Sequence, residues 1–126
     1  MKLVINLPSG VFLEEEVGAV VAETAHGRFC LLQRHIDMST VLAPGLFSYR
    51  IDGVDTYLAV DRGVLVKQGH EVNVAARAAV AGELGFLERE VKRMQEEVDE
   101  QERITRSAVA KLEADFVRRF MEFGRL

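Results

Sequence analysis

Hydrophobic and polar positions divide the chain into two halves, which meet near Gly82 and have different periods. Before Gly82, short apolar runs alternate with turn residues at intervals of roughly ten residues, a spacing typical of antiparallel sandwiches and barrels. In the first run Leu3, Ile5 and Leu7 alternate with other residues, as in a strand with one face on a core. Residues 1–80 are therefore predicted to form an antiparallel β-sandwich domain.

The strongest local signal is a pair of apolar runs, 46–51 and 54–60, separated by Asp52 and Gly53. Asp-Gly is favoured in two-residue hairpin turns because both central residues need a positive φ angle. The two runs are therefore predicted to be neighbouring antiparallel strands.

A short stretch from Gly27 to Leu32 is bounded by turn residues and ends in the polar residues Gln33, Arg34 and His35. It is too short for a typical core helix, so we expect a buried strand that enters a tight corner. On this interpretation, four consecutive side chains belong to the core: Phe29, Cys30, Leu31 and Leu32.

Beyond Gly82, two series of apolar residues recur every three or four positions, as on one helix face. They consist of Leu84, Leu87, Val91, Met94 and Val98, and then Val109, Leu112, Phe116, Phe120 and Phe123. Residues 83–124 are therefore predicted to be a C-terminal helical segment whose second series packs on another surface. Four acid–base pairs at i,i+4 support helix formation: Glu88–Lys92, Asp99–Arg103, Glu102–Arg106 and Asp115–Arg119.

The polar stretch 99–106 between the two series leaves two arrangements open. One is a continuous long helix, and the other is a helical hairpin that reverses near 104–107, with Thr105 or Ser107 as the second N-cap. We favour the hairpin, because a narrow apolar stripe stabilises an isolated helix poorly. No Gly or Pro marks the reversal, however. In either arrangement the fold class is α+β.

Composition and charge argue against several classes of protein. The formal net charge of -4 disfavours nucleic-acid binding, because such domains present a basic face to the phosphates. No run approaches the roughly 18 apolar residues of a membrane-spanning helix, and polar Asn6 interrupts the N-terminal apolar run before a signal segment could form. We therefore expect a protein with no direct membrane insertion.

No catalytic or metal-binding constellation stands out. The chain has neither a Walker-type phosphate loop nor a Gly-x-Gly-x-x-Gly helix start. His26, Cys30 and His35 are near one another in sequence, but His35 has the opposite strand parity and lies beyond a predicted corner. Cys30 is better explained as a small buried hydrophobe than as a nucleophile. We expect no enzymatic activity, no metal and no cofactor.

A string of motifs across residues 2–80 resembles the epsilon subunit of F-type ATP synthases. In order, the string is Gly27-x-Phe29-x-x-Leu32-x-x-His35, Leu42-x-Pro44-Gly45, Tyr57-Leu58-Ala59-Val60-x-x-Gly63-Val64-Leu65-Val66 and Val72-x-Val74. The resemblance implies an N-terminal β-sandwich and a C-terminal pair of helices. The segment 106–120 looks like the epsilon subunit of the alternate, N-type F-ATPases, and it departs from the common epsilon pattern. The alanine-rich first helix and the short Asp-x-x-Arg signature associated with ATP binding in some members are both absent.

What the resemblance implies is a non-catalytic rotor subunit of the central stalk. It would couple the gamma subunit to the membrane c-ring during ion-driven ATP synthesis or hydrolysis, at the cytoplasmic face of the bacterial inner membrane. In the family, the helical part can inhibit ATP hydrolysis by extending along gamma into the alpha/beta head, and the altered helical sequence leaves that role open here. The alternative is an independent β-sandwich binding module with a helical self-association arm.

The family's contact residues carry over to individual positions of this sequence. Gly27 and Arg28 would face the c-ring, and Arg28 stands where a carboxylate is common in the family. Gln33 replaces a usual proline. The residues that would lie on the gamma side are Gln33, Arg34, His35 and Thr40.

Overall fold

The structure, a computed structural model, describes residues 1–124 of the chain. Most of these residues lie in ten strands and one helix. The strands are β1 Lys2–Leu7, β2 Gly10–Glu16, β3 Ala19–Thr24, β4 Gly27–Leu32, β5 Met38–Leu42, β6 Gly45–Ile51, β7 Val54–Val60, β8 Gly63–Gln68, β9 Glu71–Ala76 and β10 Ala79–Ala81, and the helix is α1 Leu84–Phe123.

The strands form two sheets of five strands each. The first sheet has the order β2-β1-β9-β8-β5, and the second has the order β10-β7-β6-β3-β4. The predicted sandwich is confirmed. Its strand pairs are antiparallel except for β1 and β9, which run parallel in the first sheet. Side-chain alternation could not reveal that exception, because it has a period of two residues in both kinds of pair.

The inward faces of the two sheets form one core. Strand β9 shows the alternation most clearly, since Val72, Val74 and Ala76 are buried while the residues between them are exposed. The largest fully buried side chains of the sandwich are Phe47, Leu3, Ile5, Leu31, Leu65, Val20, Val72 and Val74. Removing such side chains from water is the main favourable contribution to folding.

The hairpin predicted at Asp52 and Gly53 is confirmed. Both residues have positive φ angles, 49° and 78°, as this type of turn requires. Strands β6 and β7 pair along their whole length, from Gly45 opposite Val60 to Ile51 opposite Val54.

The expectation that Gly27–Leu32 is a buried strand is wrong. Strand β4 is the edge of the second sheet. One of its faces packs on the core, and the other belongs to the part of the outer face that the start of α1 does not cover. Leu31 is fully buried, Phe29 is half-buried, Cys30 is exposed and Leu32 is 59% exposed. The interpretation of Cys30 as a buried hydrophobe is therefore also wrong.

The C-terminal segment is one continuous helix of 40 residues, so the favoured hairpin is wrong and the long helix is observed. Thr105 does not cap a second helix. Its hydroxyl donates a hydrogen bond of 2.8 Å to the Gln101 carbonyl one turn earlier, an arrangement that keeps a threonine inside a helix.

Ion pairs on the helix follow a different spacing from the predicted one. Arg103 pairs with Glu100 at 2.6 Å, and Arg118 pairs with Asp115 at 2.6 Å, both at i,i+3. None of the four predicted i,i+4 pairs is formed within residues 1–124. Arg103 pairs with Glu100 in place of Asp99, and Asp115 pairs with Arg118 in place of Arg119. Both spacings place side chains on the same helix face and contribute similar small amounts.

The chain divides into two compact units, Met1–Met94 and a second that begins at Gln95. Within the first unit, the start of α1 packs on the outer face of the second sheet. Leu87 and Met94 are buried against Ala59, with Leu46 and Val80 beside them. This contact covers one part of that face and leaves the part near β4 open.

Candidate functional site

The turn between β3 and β4 holds the two residues predicted to face the c-ring. The Thr24 hydroxyl accepts a hydrogen bond of 3.1 Å from the His26 amide and donates one of 2.9 Å to the Gly27 carbonyl. Gly27 has a φ angle of 118°, which glycine adopts without strain. Arg28 lies opposite Glu23 across the two strands and pairs with it at 3.5 Å. Both predicted residues are exposed at this end of the sandwich.

Gln33, Arg34 and His35 lie in the corner after β4, where the chain crosses from the second sheet to the first. The corner is closed by a hydrogen bond of 3.0 Å from the His35 amide to the Leu32 carbonyl. Gln33 and Arg34 are exposed, and His35 is half-buried.

A buried lysine anchors this corner, and the sequence analysis did not identify it. Lys67 on β8 is only 2% exposed, and its ammonium group donates hydrogen bonds to the carbonyls of His35 and Gly69. The Gly69 amide in turn donates a 2.8 Å hydrogen bond to the Asp37 carboxylate. The signal in the sequence is parity, since Lys67 is two residues after Leu65 and so shares its inward face.

The two predicted contact zones are therefore separated along β4. Gly27 and Arg28 are at its start, and the Gln33–His35 corner follows its end. Six extended residues span roughly 20 Å, so no single small ligand could contact both zones.

Thr40 lies on β5, the edge strand of the first sheet, opposite Leu65. Its side chain is half-buried and shares the inward face of Leu65. The neighbours Ser39 and Val41 face outward and are exposed. The outward face of this strand is therefore formed by Ser39 and Val41 and not by Thr40.

The sequence patterns also did not predict an apolar surface on the outer face of the first sheet. Val41, Val64 and Ala75 lie in one row across β5, β8 and β9, and Val66 and Val4 belong to the next row, with Asn73 between them. We call these five residues the valine patch. Val41 is 70% exposed, and Val64 and Val66 are exposed as well. The signal was the run Val64-Leu65-Val66, because a strand that is apolar at consecutive positions is typical of one covered on both faces.

The open part of the second sheet's outer face carries a shallow depression of about 210 Å³. It is lined by Ala19, Val21, Arg28, Cys30, Leu32, Ser48, Tyr49, Arg50, Asp55 and Tyr57. Arg50 donates hydrogen bonds of 2.9 and 3.2 Å to the two oxygens of the Asp55 carboxylate. This hydrogen bonding and the charge of Arg50 hold the pKa of Asp55 below its usual value, and the same carboxylate raises the pKa of Arg50.

This depression contains no arrangement for catalysis. A general acid needs a carboxyl group whose proton is retained near neutral pH, whereas Asp55 is held ionised by its arginine. Within residues 1–124, no group of three or more His, Cys, Asp or Glu side chains is placed to hold a metal ion.

The predicted packing residues of the helix are exposed along one helix face. Phe116, Phe120 and Phe123 are 71%, 69% and 75% exposed, and Val109 and Leu112 are exposed on the same face. We call these five residues the helix stripe. Exposed apolar surfaces of this kind usually mark a site of protein contact.

Comparison with known proteins identifies a family. Residues 1–89 match the model of the ATP synthase delta/epsilon chain β-sandwich domain. The ATP synthase epsilon chain 2 of Cereibacter sphaeroides is 37% identical over 125 residues, which cover 96% of this chain and 86% of that protein. The ATP synthase epsilon chain 2 of Paraburkholderia xenovorans is 30% identical, with 99% of this chain and 93% of that protein covered.

Solved structures share the sandwich fold. A chain in the Euglena gracilis mitochondrial ATP synthase structure has a TM-score of 0.59 and 22% identity, with 62% of this chain and 51% of that chain covered. A chain in the central stalk and c-ring structure of the Tetrahymena thermophila mitochondrial ATP synthase has a TM-score of 0.56 and 14% identity, with 64% and 66% covered. The helix within residues 1–124 is not apolar enough over any 18-residue window to cross a membrane.

Proposed function

The chain belongs to the delta/epsilon family of ATP synthase subunits, and from this we propose how it works as an epsilon subunit of the central stalk. Its sandwich is a rigid body that joins the gamma subunit to the c-ring, so that torque passes between ring and shaft. It does this without chemistry of its own, as a peripheral subunit at the cytoplasmic face of the bacterial inner membrane. The family match across the sandwich, together with two separated exposed contact zones, carries this proposal.

The valine patch and the corner beside it form the gamma contact. The patch is flat and apolar, and its two rows on β5, β8 and β9 contain no charged residue. An exposed apolar surface of this kind gains free energy when a partner covers it. Edge strand β5 belongs to the patch and also follows the corner that holds Gln33, Arg34 and His35, so these residues extend the same contact.

Lys67 supports this contact by fixing the shape of the corner. Three backbone and side-chain hydrogen bonds tie residues 35–37 to the turn at Gly69. A corner that is already ordered loses less conformational entropy on binding than a flexible one. The hydrogen bonds of Lys67 and Gly69 therefore restrict the corner in place of the proline that is usual in the family at the position of Gln33.

The β3–β4 turn forms the c-ring contact. It is small, polar and exposed, which suits a partner made of the polar loops of a membrane ring. Arg28 sets the sign of its charge, although Glu23 at 3.5 Å neutralises part of it. We therefore expect an acidic partner on the ring loops, in contrast to a family member with a carboxylate at this position.

The helix stripe is the part of the chain that would regulate rotation of the enzyme. In the assembled enzyme it is available to the alpha/beta head, where a helix of this length could restrict rotation. The two relatives named epsilon chain 2 support assignment to the alternate, N-type class, which the segment 106–120 also resembles.

Capture of the gamma subunit tests the main contact. The full chain, immobilised through a tag, is expected to bind purified gamma, and Val64→Arg is expected to weaken the Kd at least about 100-fold because it places a charge in the apolar patch. Val54→Arg is the matched control, since Val54 is exposed but lies at the β6–β7 turn. Failure of the wild type to bind gamma at any salt concentration would refute the proposal.

Equal binding by both valine variants would place the gamma contact elsewhere on the chain. Circular dichroism of each variant must match the wild type, so that a loss of binding is not a loss of folding.

A second experiment tests the ring contact separately. Arg28→Glu is expected to weaken binding of the gamma–epsilon complex to purified c-ring about 10-fold at low salt, and less at high salt because exposed charges are screened. Lys92→Glu, which reverses an exposed charge on the helix outside the turn, is the control. Tighter ring binding by Arg28→Glu would show that the ring partner is basic.

A further inference from the structure

The sandwich has four edge strands, and three of them carry features that oppose pairing with a further strand. Strand β10 has only three residues. Strand β2 pairs with β1 through an irregular register and ends in three glutamates at 14–16. Strand β4 carries Arg28, and its terminal carbonyls, those of Gly27 and Leu32, already accept hydrogen bonds. Short length, bulges and charges are the means by which natural edge strands avoid unwanted pairing.

Strand β5 has none of these features. Its sequence, Met38-Ser39-Thr40-Val41-Leu42, contains no charged residue, no proline and no glycine. It pairs with β8 in an unbroken register, and Val41 is 70% exposed. A regular, uncharged edge strand is a template on which another strand can pair.

The pairing of β8 with β9 shows which backbone groups of β8 are already used. A two-residue turn joins the two strands, so its flanking residues Gln68 and Glu71 are hydrogen-bonded to each other. Bonded pairs alternate along an antiparallel ladder. The bond of 2.9 Å from the Arg77 amide to the Arg62 carbonyl belongs to the same series, six residues back from Gln68. Even-numbered residues of β8 therefore bond to β9.

Odd-numbered residues of β8 direct their backbone groups to β5, where Leu65 pairs with Thr40. Because this direction alternates along β5 as well, Ser39 and Val41 direct their N–H and C=O groups to the open edge. Within residues 1–124, the backbone of neither residue makes a hydrogen bond outside the strand ladder. Two donors and two acceptors are therefore available at this edge.

We propose that an extended segment of the gamma subunit adds to β5 as a further strand of the first sheet. The segment exchanges main-chain hydrogen bonds with Ser39 and Val41. On the outer face, it places an apolar side chain beside Val41, and it has no proline at the positions that pair. This inference rests on the gamma contact proposed above and specifies how gamma binds there.

Continuity with the valine patch identifies gamma as the partner. Val41 belongs both to the patch and to the open edge, so a partner that covers the patch also reaches the backbone of β5. In binding by strand addition, main-chain hydrogen bonds supply affinity and side-chain contacts supply specificity. The hydrogen bonds also fix the register of the added strand, so gamma cannot slide across the flat patch when torque is applied.

Ser39→Pro tests the strand addition without altering the valine patch. Proline is tolerated on an edge strand where its missing N–H would have faced outward, so the ladder with β8 is kept. The Kd for gamma is expected to rise about 10- to 30-fold, because one hydrogen bond is lost and the ring obstructs the incoming strand. Ser39→Val, which keeps the N–H group, is the matched control and is expected to stay within about 3-fold of the wild type.

The outcomes separate this inference from the gamma contact itself. Wild-type affinity in Ser39→Pro, with binding still weakened by Val64→Arg, would overturn the strand addition and leave the gamma contact standing. Failure of the wild type to bind gamma would refute the contact on which the inference rests. Thermal unfolding of both Ser39 variants must match the wild type, so that weaker binding is not a loss of folding.

Hydrogen exchange measured by NMR provides a test that needs no variant. In the free chain, the amides of Ser39 and Val41 are expected to exchange rapidly, whereas the Thr40 amide is protected by its bond to β8. In the complex with gamma, exchange at Ser39 and Val41 is expected to slow at least about 100-fold. Rapid exchange at both amides in the complex would contradict the proposal, as would a protected Val41 amide in the free chain.

Discussion

Phe47 and Phe120 are the same residue type in two regions of the molecule that are stabilised differently. Phe47 is 1% exposed in the core of the sandwich, whereas Phe120 is 69% exposed on a helix face. The sandwich is stabilised by burial between two sheets. The helix beyond Gln95 is stabilised by its own backbone hydrogen bonds and by ion pairs at i,i+3. Phe47 is thus held in place by contacts with surrounding side chains, whereas the exposed ring of Phe120 is not.

Close packing inside the sandwich also explains two glycines of the motif string, Gly45 and Gly63. A side chain at Gly63 would strike the Ala75 carbonyl and approach the Ala76 Cα to 2.8 Å, and one at Gly45 would lie 2.6 Å from the Cβ of Glu23. These glycines let neighbouring strands pack closely. They belong to the family motif because of packing, and no partner needs to touch them.

The largest effect comes from the matched phenylalanine pair. Phe47→Ala is expected to lower the free energy of unfolding by about 3–5 kcal/mol, because it removes a buried ring and leaves a cavity. Phe120→Ala is expected to change it by less than about 0.5 kcal/mol, because the ring is exposed. Urea denaturation followed by circular dichroism measures both. Equal losses would mean that the stripe is buried in solution.

Gly63→Ala separates close packing from backbone freedom. We expect a loss of about 2–3 kcal/mol, because the added methyl group meets backbone atoms that cannot move aside easily. Gly18→Ala is the control, since the nearest atom to its Cβ would be the Arg50 carbonyl at 3.8 Å. Thermal unfolding of both variants measures the difference. A tolerated Gly63→Ala would contradict this account of the β8–β9 contact.

Lys67→Met tests the anchor of the corner. Loss of the two hydrogen bonds to the carbonyls of His35 and Gly69 is expected to cost about 1–2 kcal/mol and to speed hydrogen exchange at residues 33–37. Lys92→Met, at an exposed helix position, is expected to have little effect on either measurement. Unchanged exchange in Lys67→Met would show that the corner is ordered by other contacts.

The smallest effect concerns pH in the helix. Arg103 lowers the pKa of Glu100 from its usual 4.5 through a hydrogen bond and its charge. Because the folded pKa is the lower one, the contribution to helix stability is present above pH 4.5 and is lost as pH falls through the folded pKa. Ellipticity of wild type and Glu100→Gln should therefore differ slightly at neutral pH and converge in acid. A difference that persists in acid would assign the effect to another cause.

The local elements followed from the sequence because their causes are local. Asp52 and Gly53 specify a turn by their own φ preferences, and the alternation in β9 specifies which side chains face inward. The 3.6-residue period specifies the helix. The motif string also identified the family, because its spacing records turns and close strand contacts that the fold requires.

The rest depended on which strands become neighbours, and that is decided by contacts far apart in sequence. An apolar run such as Gly27–Leu32 has the same pattern whether its outer face is covered or open, so only the tertiary structure shows that Cys30 and Leu32 are exposed. The valine patch joins residues from β1, β5, β8 and β9, and the partners of Lys67 come from a corner 32 residues away. Periodicity assigns a side chain to a face of its own element, but only the tertiary structure shows what covers that face.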